Sequence, residues 1–531
     1  MVGSHVLPTA FIITAVATRL VVSALTSQNG FSFATYYNDH MVLQKAPQQS
    51  NIWGYSTKID DTVHVTIQGT GITHTVQTKV YKGNEGKGVW KVSLPAVPAG
   101  GPYTVTATSS LANLILKDVL FGDVWICSGQ SNMQFTLTMG LNTSAEIADG
   151  VNYPNIRLFT VRRNESKERQ YDLIDIEQKW SLPSKTSLGG SPWTHFSSVC
   201  WFYGKDLYNE LKYPIGLISS SWGGTLIESW SSPEAMSKCG APITYGPQPG
   251  FPRDPSVLWN TMISPFLPFT IYGAIWYQGE SNGGHGDRYN CSFPAMINDW
   301  RDNFNKESGG QTSRNFPFGF VQLAANSNNS NSFGMTGIRW AQTASLGYVP
   351  NPRMRDVFMA VSLDLPDYDS PMGSIHPRHK KIVCDRLALA GLSVAYKKTG
   401  KKFQGPYPSK LTNHKADSTV TVEFDDGNSP LDVRAQDGFE VCCVSETQTR
   451  GCNTYDRNWH AAPVSKSTET TVTLHYPDSC NQHLTVKALR YLWRESPCVF
   501  LKCPVYSVEN QLPAPPFLYH FPDLGDVHII G

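Results

Sequence analysis

The sequence has almost no net charge and no segment in which one charge sign dominates. It contains 44 basic and 43 acidic residues among 531, a formal net charge of +1, and charged residues make up only 16%. The absence of a basic stripe or an acidic tail removes support for binding to nucleic acid or to a charged membrane surface. Internal repeats and long low-complexity stretches are absent too. Aromatic residues are plentiful, at 11% with 14 Trp, which is typical of a folded protein and favours one that handles sugars.

Long apolar runs occur only at the N-terminus. Residues 7–17 are mostly apolar, Arg19 interrupts the run, and residues 20–25 continue it before small residues follow. This pattern predicts a signal peptide over residues 1–27, with cleavage near residues 24–28. A short transmembrane anchor is the alternative, but Arg19 leaves too short an apolar segment for a comfortable span. We therefore expect no membrane span after cleavage.

Six of the eleven cysteines lie in the C-terminal part of the chain. No C-x-x-C pair occurs there, so disulfides are favoured over a zinc site. Because the number is odd, one cysteine stays unpaired or pairs outside the chain. Four N-x-S/T sequons predict N-glycans at Asn142, Asn164, Asn290 and Asn328. With the signal peptide, these features predict a secreted or lysosomal glycoprotein. The crowded cysteines are Cys442, Cys443, Cys452, Cys480, Cys498 and Cys503.

The chain predicts three folded regions after the signal peptide. Residues 28–119 read as short strands separated by Gly and Pro clusters, which predicts an antiparallel β-sandwich. In residues 120–400, strands alternate with helices, which predicts a parallel sheet covered on both faces. Residues 401–531 return to short strands as a disulfide-rich β domain, with residues 425–437 predicted as a loop. The predicted central strands are 156–161, 214–220, 271–277, 318–324 and 357–363, and the predicted helices are 201–211, 294–304, 337–346 and 380–395.

The stretch 122–135 is the one around which the central region is organised. Residues 123–127 read as a buried strand that runs into the turn Ser128-Gly129, and Ser131 then opens a helix. A serine on such a turn exposes its hydroxyl, and its own N–H points towards an oxygen docked at the helix start. The serine-hydrolase pattern G-x-S-x-G is absent, because Met133 stands at the second glycine position. Ser131 is therefore either a nucleophile or a helix cap.

Further polar turns follow the other predicted strands. They are the turn with Gly223 and Gly224, the turn 276–282, Asp364 at the end of its strand, and His376 on the next loop. Because the carboxyl ends of parallel strands share one rim, these groups are expected to meet. A serine, a Gly-Gly backbone, an amide and a histidine are the parts of an acyl-transfer site. Each alone more often has a structural role, but four at successive strand ends favour catalysis.

The chemistry suggests a role for each group. Ser131 attacks a carbonyl carbon, and His376 takes its proton and returns it to the leaving alcohol. The N–H of Ser131, an N–H of Gly223 or Gly224 and an amide such as Gln278 stabilise the oxyanion. Gln278 and Glu280 could instead only hold their loop together. The candidates for oxyanion and substrate binding are Gly223, Gly224, Gln278, Glu280 and Asn282.

These motifs resemble the sialate O-acetylesterase family of SGNH/GDSL-like hydrolases. The resemblance rests on the Gly-Gln-Ser-Asn-Met turn, the Gly-Gly-Thr turn, residues 276–282 and residues 374–378, and it extends to residues 367–371 and 512–517. It implies a flavodoxin-like three-layer α/β domain flanked by β-sandwich-like regions. It also implies removal of O-acetyl groups from sialic acids, 9-O-acetyl expected, through an acetyl-enzyme intermediate. Neither a metal nor an organic cofactor is implied, and the expected location is the lysosome or the outside of the cell.

One departure from the family pattern concerns the carboxylate that orients His376. Many SGNH enzymes carry Asp three residues before the histidine, whereas this chain has Gly373. Asp364 is the first candidate; Asp367, Asp369 and Glu280 are open, as is a dyad assisted by a backbone carbonyl. An Arg or Lys near the rim is expected to hold the sialate carboxylate, but the sequence does not identify it; Arg378 and Lys380 are close to His376 in sequence only. An acetylxylan-type carbohydrate esterase and a non-catalytic glycan-binding protein remain the alternative functions.

Overall fold

The computed structural model describes residues 27–521 and 527–529, apart from internal gaps at residues 84–85, 242–245, 247–249, 329–332, 399, 401, 426–429, 446–451 and 483. The predicted signal peptide lies outside the described residues except for Ser27. Among the helices that are described, none is long and apolar enough to cross a membrane.

The N-terminal part consists of short strands in two layers. Along β5, Val63, Val65 and Ile67 are buried while His64 and Gln68 are exposed, as expected for a half-buried strand. The strands β1-β2-β4-β8-β7 form one antiparallel sheet in that order. In a second sheet, β6 pairs with β5, β5 with β9, and β9 with the long strand described next, all antiparallel. Only β3 pairs in parallel with that strand among these elements. The strands are β1 (Ser27–Gln28), β2 (Phe31–Phe33), β3 (Val42–Gln44), β4 (Asn51–Ser56), β5 (Thr62–Gly69), β6 (Ile72–Lys79), β7 (Tyr81–Lys82), β8 (Gly88–Ser93) and β9 (Gly100–Thr108).

A single strand, β10 (Asn113–Gly129), crosses the predicted boundary between the first two regions. The sequence predicts two strands here, separated near residues 120–122. In the structure the chain continues instead, with irregular pairing to β9 at Leu116, Val119 and Phe121. A bulge of this kind bends a strand without ending it, so the predicted break near residues 120–122 is absent. The domain boundary at 119/120 stays a prediction.

The second half of β10 lies in the middle of the central sheet. The order is β12-β11-β13-β10-β14-β15-β16, with all strands parallel except β12 at the edge. The order reverses direction at β10, which has β13 on one side and β14 on the other, and such switch points form ligand crevices. The strands are β11 (Ile156–Val161), β12 (Ile176–Ser181), β13 (Ile215–Ser221), β14 (Gly273–Tyr277), β15 (Phe318–Gln322) and β16 (Val357–Val361).

Helices cover both faces of this sheet. The ring of Trp125 on β10 lies 5.1 Å from that of Tyr203 on α4, which packs against α8. The ring of Trp276 on β14 lies 5.9 Å from that of Trp300 on α6. Trp125 pairs with Gly273, three residues before Trp276, so the two indoles point to opposite faces. The predicted α/β architecture is confirmed, with helices α1 (Ser131–Gln134), α2 (Thr143–Asp149), α3 (Lys185–Leu188), α4 (Ser198–Leu211), α5 (Pro233–Ser237), α6 (Gly286–Glu307), α7 (Thr336–Ala341) and α8 (Lys380–Val394).

The C-terminal part is again mostly β-structure. Two antiparallel sheets have the orders β22-β23-β18-β17-β27 and β21-β20-β24-β26. The prediction of a continuous loop over residues 425–437 is wrong, because Leu431–Val433 pairs with Val505–Ser507, a partner too distant for local patterns to reveal. The elements are β17 (Pro408–His414), β18 (Thr419–Phe424), β19 (Leu431–Val433), β20 (Phe439–Val444), β21 (Trp459–Ala461), β22 (Val464–Ser467), β23 (Thr471–His475), α9 (Ser479–Gln482), β24 (Thr485–Tyr491), β25 (Val505–Ser507), β26 (Phe517–His520) and β27 (Val527–Ile529).

Ten of the cysteines form disulfides, as the cysteine pattern predicts. Cys384 is left as a buried thiol. His460 lies beside Cys443 and Cys480, but those two cysteines are bonded to each other, which removes the thiolates that a zinc ion needs. The pairs are Cys127–Cys200, Cys239–Cys291, Cys442–Cys452, Cys443–Cys480 and Cys498–Cys503.

Candidate active site

Ser131 follows the central strand β10 at the switch point of the sheet. Gly129 makes the turn with φ of +139°, and a Cβ there would lie 2.2 Å from the carbonyl oxygen of Tyr277. Only glycine fits this close approach. Ser131 is the first residue of α1, and the preceding residue, Gln130, holds the N-cap position without a side-chain cap. The helix-cap interpretation of Ser131 is therefore not supported by the structure.

His376 is within hydrogen-bonding distance of Ser131, although 245 residues separate them along the chain. Its Nε2 lies 2.8 Å from the Ser131 Oγ, and its Nδ1 lies 2.7 Å from the carbonyl oxygen of Met372. A carbonyl oxygen can only accept, so Nδ1 of the neutral ring carries the proton. Nε2 is then the acceptor for the serine hydroxyl. This is the tautomer that a general base needs.

The group that faces His376 Nδ1 is a backbone carbonyl, not Asp364 as first predicted. The carboxylate of Asp364 is fully buried and forms two hydrogen bonds with Arg386, at 2.6 and 2.9 Å. It also accepts from the hydroxyl of Tyr506 at 2.9 Å. An isolated buried arginine would be costly, and Asp364 neutralises it. At its strand end Asp364 therefore forms a buried ion pair with Arg386 and does not contact His376.

The other candidate carboxylates are also directed elsewhere. Asp367 pairs with Arg378, with both nitrogen–oxygen distances at 2.7 Å. Asp369 is exposed, and Glu280 accepts from the side chain of Asn132 at 2.5 Å. The geometry is that of the backbone-carbonyl alternative, with Met372 beside the glycine that replaces the usual Asp.

The backbone amides of the Gly-Gly turn differ in availability. The N–H of Gly223 donates to Oε1 of Gln134 at 2.8 Å, so this predicted oxyanion donor is already occupied. The N–H groups of Gly224 and Ser131 have no hydrogen-bond partner within the described part of the chain. Gly224 has φ of +71°, and a Cβ there would collide with the ring of Phe251. Gly224 and Ser131 are the amides that remain open to an oxyanion.

Gln278 and Asn282 connect two turns and do not line the cavity. The Gln278 side chain donates to the Thr225 carbonyl at 3.2 Å and to Asn282 Oδ1 at 2.7 Å. Asn282 in turn donates to Glu228 at 2.9 Å. Both side chains are buried and are held by hydrogen bonds within the protein. The prediction that Gln278 donates to the oxyanion therefore does not match its contacts, which position the Gly-Gly turn instead.

A buried charge lies behind the nucleophile. Nζ of Lys380 donates to Asn132 Oδ1 at 2.6 Å, between the rings of Phe135 and Tyr277. Burial lowers the pKa of Lys380 to about 7, with Glu280 opposing the shift. Burial also raises the pKa of Glu280. The pKa of His376 is lowered chiefly by burial and further by Lys380, while the Met372 carbonyl opposes the shift.

The pH dependence of catalysis tests the influence of Lys380 on the pKa of His376. His376 accepts a proton only when neutral, so activity falls as the pH drops through its pKa. Since the positive charge of Lys380 lowers that pKa, Lys380→Met should raise it and move the acid limb of kcat/KM to higher pH. Lys381→Met is the matched control, because Lys381 pairs with Asp206 and Asp385 instead. An acid limb at the same pH in both variants would contradict this influence.

Ser131 and His376 lie in a cavity of about 540 Å³. The sequence did not single out several of its lining residues. Gln134 belongs to the nucleophile motif and Trp222 precedes the Gly-Gly turn, so motif position could have found them. Trp193, whose ring centroid lies 5.0 Å from that of His376, carries no such signal. The newly found lining residues include Gln134, Arg163, Trp193, Trp222 and Phe251.

The fold and the comparisons define the class of protein as a carbohydrate esterase. Residues 121–369 match the family model described as carbohydrate esterase, sialic acid-specific acetylesterase. The chain is also similar to the crystal structure of a carbohydrate acetylesterase from Xanthomonas citri, with TM-score 0.73 and 27% identity over 92% of this chain and 99% of that one.

Comparison over the full length narrows the class to one family. Residues 409–521 match the model of the sialate O-acetylesterase C-terminal domain. The chain is 43% identical to sialate O-acetylesterase of Homo sapiens over 94% of each chain. It is 42% identical to that of Mus musculus, over 92% of this chain and 94% of the relative. The chain belongs to the sialate O-acetylesterase family, and the resemblance found from its motifs is confirmed.

Proposed function

We propose that the chain is a serine esterase that removes O-acetyl groups from sialic acids, with the 9-O-acetyl group as the expected target. The observation that carries the proposal is the 2.8 Å contact between Ser131 Oγ and His376 Nε2 in a cavity of a member of this family. Catalytic side-chain roles are proposed for Ser131 and His376 only, and the backbone amides of Ser131 and Gly224 are the proposed oxyanion donors. Asp364 has no proposed part in the chemistry.

In the first step, Ser131 Oγ attacks the acetyl carbonyl carbon while Nε2 of His376 takes the hydroxyl proton. The negative charge that develops on the carbonyl oxygen is stabilised by the open amides of Ser131 and Gly224, and one lost donor costs about 3–4 kcal/mol. The tetrahedral intermediate then expels the sugar oxygen, which takes the proton from Nε2. The products are the deacetylated sugar and an acetyl ester on Ser131.

In the second step, water replaces the sugar. Nε2 of His376 takes a proton from water as its oxygen attacks the acetyl carbon, and the same donors stabilise the oxyanion. Collapse of the intermediate returns the proton to Ser131 Oγ and releases acetate. Throughout, the Met372 carbonyl holds the ring by accepting from Nδ1. A carboxylate would stabilise the imidazolium more strongly, so the main role of the Met372 carbonyl is to orient the His376 ring.

We also propose that the protein is secreted or lysosomal and carries N-glycans. Disulfides are typical of oxidising compartments. Asn142 and Asn328 are exposed, as a glycan requires. Asn164 and Asn290 are half-buried, and the side chain of Asn290 accepts from Arg353 at 3.2 Å, which makes it the weaker acceptor site.

Acetate release separates the candidate functions. We expect the protein to release acetate from 9-O-acetyl-N-acetylneuraminic acid and much less from acetylated xylan. Faster release from xylan would favour the acetylxylan-type alternative. Release from neither, with no labelling by a fluorophosphonate, would favour a non-catalytic glycan-binding protein.

A further inference from the structure

The substrate of the proposed function carries a carboxylate, and two cations near His376 in the sequence, Arg378 and Lys380, are engaged elsewhere. The guanidinium of Arg378 forms a double hydrogen bond with Asp367. Lys380 is buried and bonds to Asn132 behind the nucleophile. Neither residue lines the cavity that contains Ser131 and His376. Neither residue is therefore placed to bind the substrate carboxylate in this cavity.

Arg163 is the one Arg or Lys side chain among the described residues that line this cavity. It lines the same cavity as Ser131 and His376, and its side chain is exposed. Within the described residues it makes no hydrogen bond or ion pair. Its neighbour Arg162 differs, because Arg162 pairs with Asp175 at 2.9 Å and with Glu177 at 3.4 Å. Asp175 and Glu177 thus pair with Arg162, and the guanidinium of Arg163 remains available to bind an anion.

The position of Arg163 in the sheet sets its distance from the nucleophile. It follows β11 by two residues, and β13 separates β11 from β10. Two strand spacings place the backbone of β11 about 10 Å from that of β10. A nine-carbon acidic sugar has its carboxylate at one end and C9 at the end of its glycerol chain. An arginine near the end of β11 and a serine at the end of β10 can therefore contact opposite ends of such a sugar.

We propose that Arg163 binds the sugar carboxylate and so directs the acetylated glycerol chain towards Ser131. This inference rests on the proposed function. A guanidinium binds a carboxylate through two parallel hydrogen bonds, which fixes orientation as well as affinity. The ring of Trp193 lines the cavity beside both Arg163 and His376, and it supplies an apolar wall for the sugar between them.

The test compares 9-O-acetyl-N-acetylneuraminic acid with its uncharged C1 methyl ester. The wild-type protein should prefer the free acid in kcat/KM by about tenfold to a hundredfold, the range for hydrogen bonds to a charged group. In Arg163→Met this preference should vanish, through a rise in KM for the acid and little change in kcat. Arg163→Lys should restore part of it. Arg162→Met is the matched control and should keep the full preference.

Two results would overturn the proposal. If Arg163→Met keeps the preference for the free acid, another group binds the carboxylate. If it lowers kcat/KM equally for the acid and the methyl ester, its effect is structural. Failure of the proposed function looks different: the wild-type protein would then hydrolyse p-nitrophenyl acetate but neither sialic acid substrate, which would overturn both proposals.

Discussion

Ser131→Ala is expected to lower kcat for acetate release by about 10⁴-fold or more, because among the described residues no other hydroxyl lies within hydrogen-bonding distance of the His376 ring. The substrate should still bind, since the cavity walls and Arg163 are unchanged. The measurement is acetate release under saturating 9-O-acetyl sialic acid. Ser281→Ala is the matched control, because Ser281 lines the same cavity but makes no contact with His376 among the described residues. Its kcat should stay within a few-fold of the wild type.

A fluorophosphonate probe provides a second readout of the same variant. It should label the wild-type protein and the Ser281 variant but not Ser131→Ala, since only an activated serine reacts. Full acetate release by Ser131→Ala would exclude Ser131 as the nucleophile. Labelling of the variant at another serine would lead to the same conclusion and would identify the replacement.

The positions of the site residues could be predicted because strand ends are local features. A buried run followed by a polar, glycine-containing turn occurs before Ser131 and again before Gly224. Parallel pairing of β13 and β10 then places the two turns side by side. The strand-end turns and the loop after Asp364 predict Ser131 and His376 as site residues, and the structure places the two in contact. The pattern requires no knowledge of how individual side chains are oriented.

The partners of these residues could not be predicted, because they depend on packing between distant segments. The N–H of Gly223 meets Gln134, 89 residues away. Asp364 meets Tyr506 of the C-terminal region, 142 residues away. Arg163 follows a strand that carries no recognisable motif, so only the cavity identifies it. Sequence patterns therefore located the strand-end turns, while hydrogen-bond assignments required the folded chain.

Asp364→Asn is expected to destabilise the protein and to leave the chemistry of the folded enzyme nearly unchanged. Loss of the negative charge leaves Arg386, which is 6% exposed, without its counter-ion. Breaking a buried pair in this way costs about 3–5 kcal/mol in the free energy of unfolding. Asp369→Asn is the matched control, because Asp369 is exposed and its loss should change stability by less than about 0.5 kcal/mol.

The measurement must separate stability from catalysis. Urea unfolding measures the stability of the protein. The value of kcat per fluorophosphonate-reactive site measures catalysis, since only folded molecules react with the probe. If Asp364 oriented His376, the substitution to Asn would lower kcat by about 10⁴-fold, as loss of an orienting carboxylate does in serine proteases. We expect kcat per active site within a few-fold of the wild type, because the Met372 carbonyl holds His376 whether or not Asp364 is charged. A large loss of kcat with unchanged stability would instead return Asp364 to the catalytic machinery.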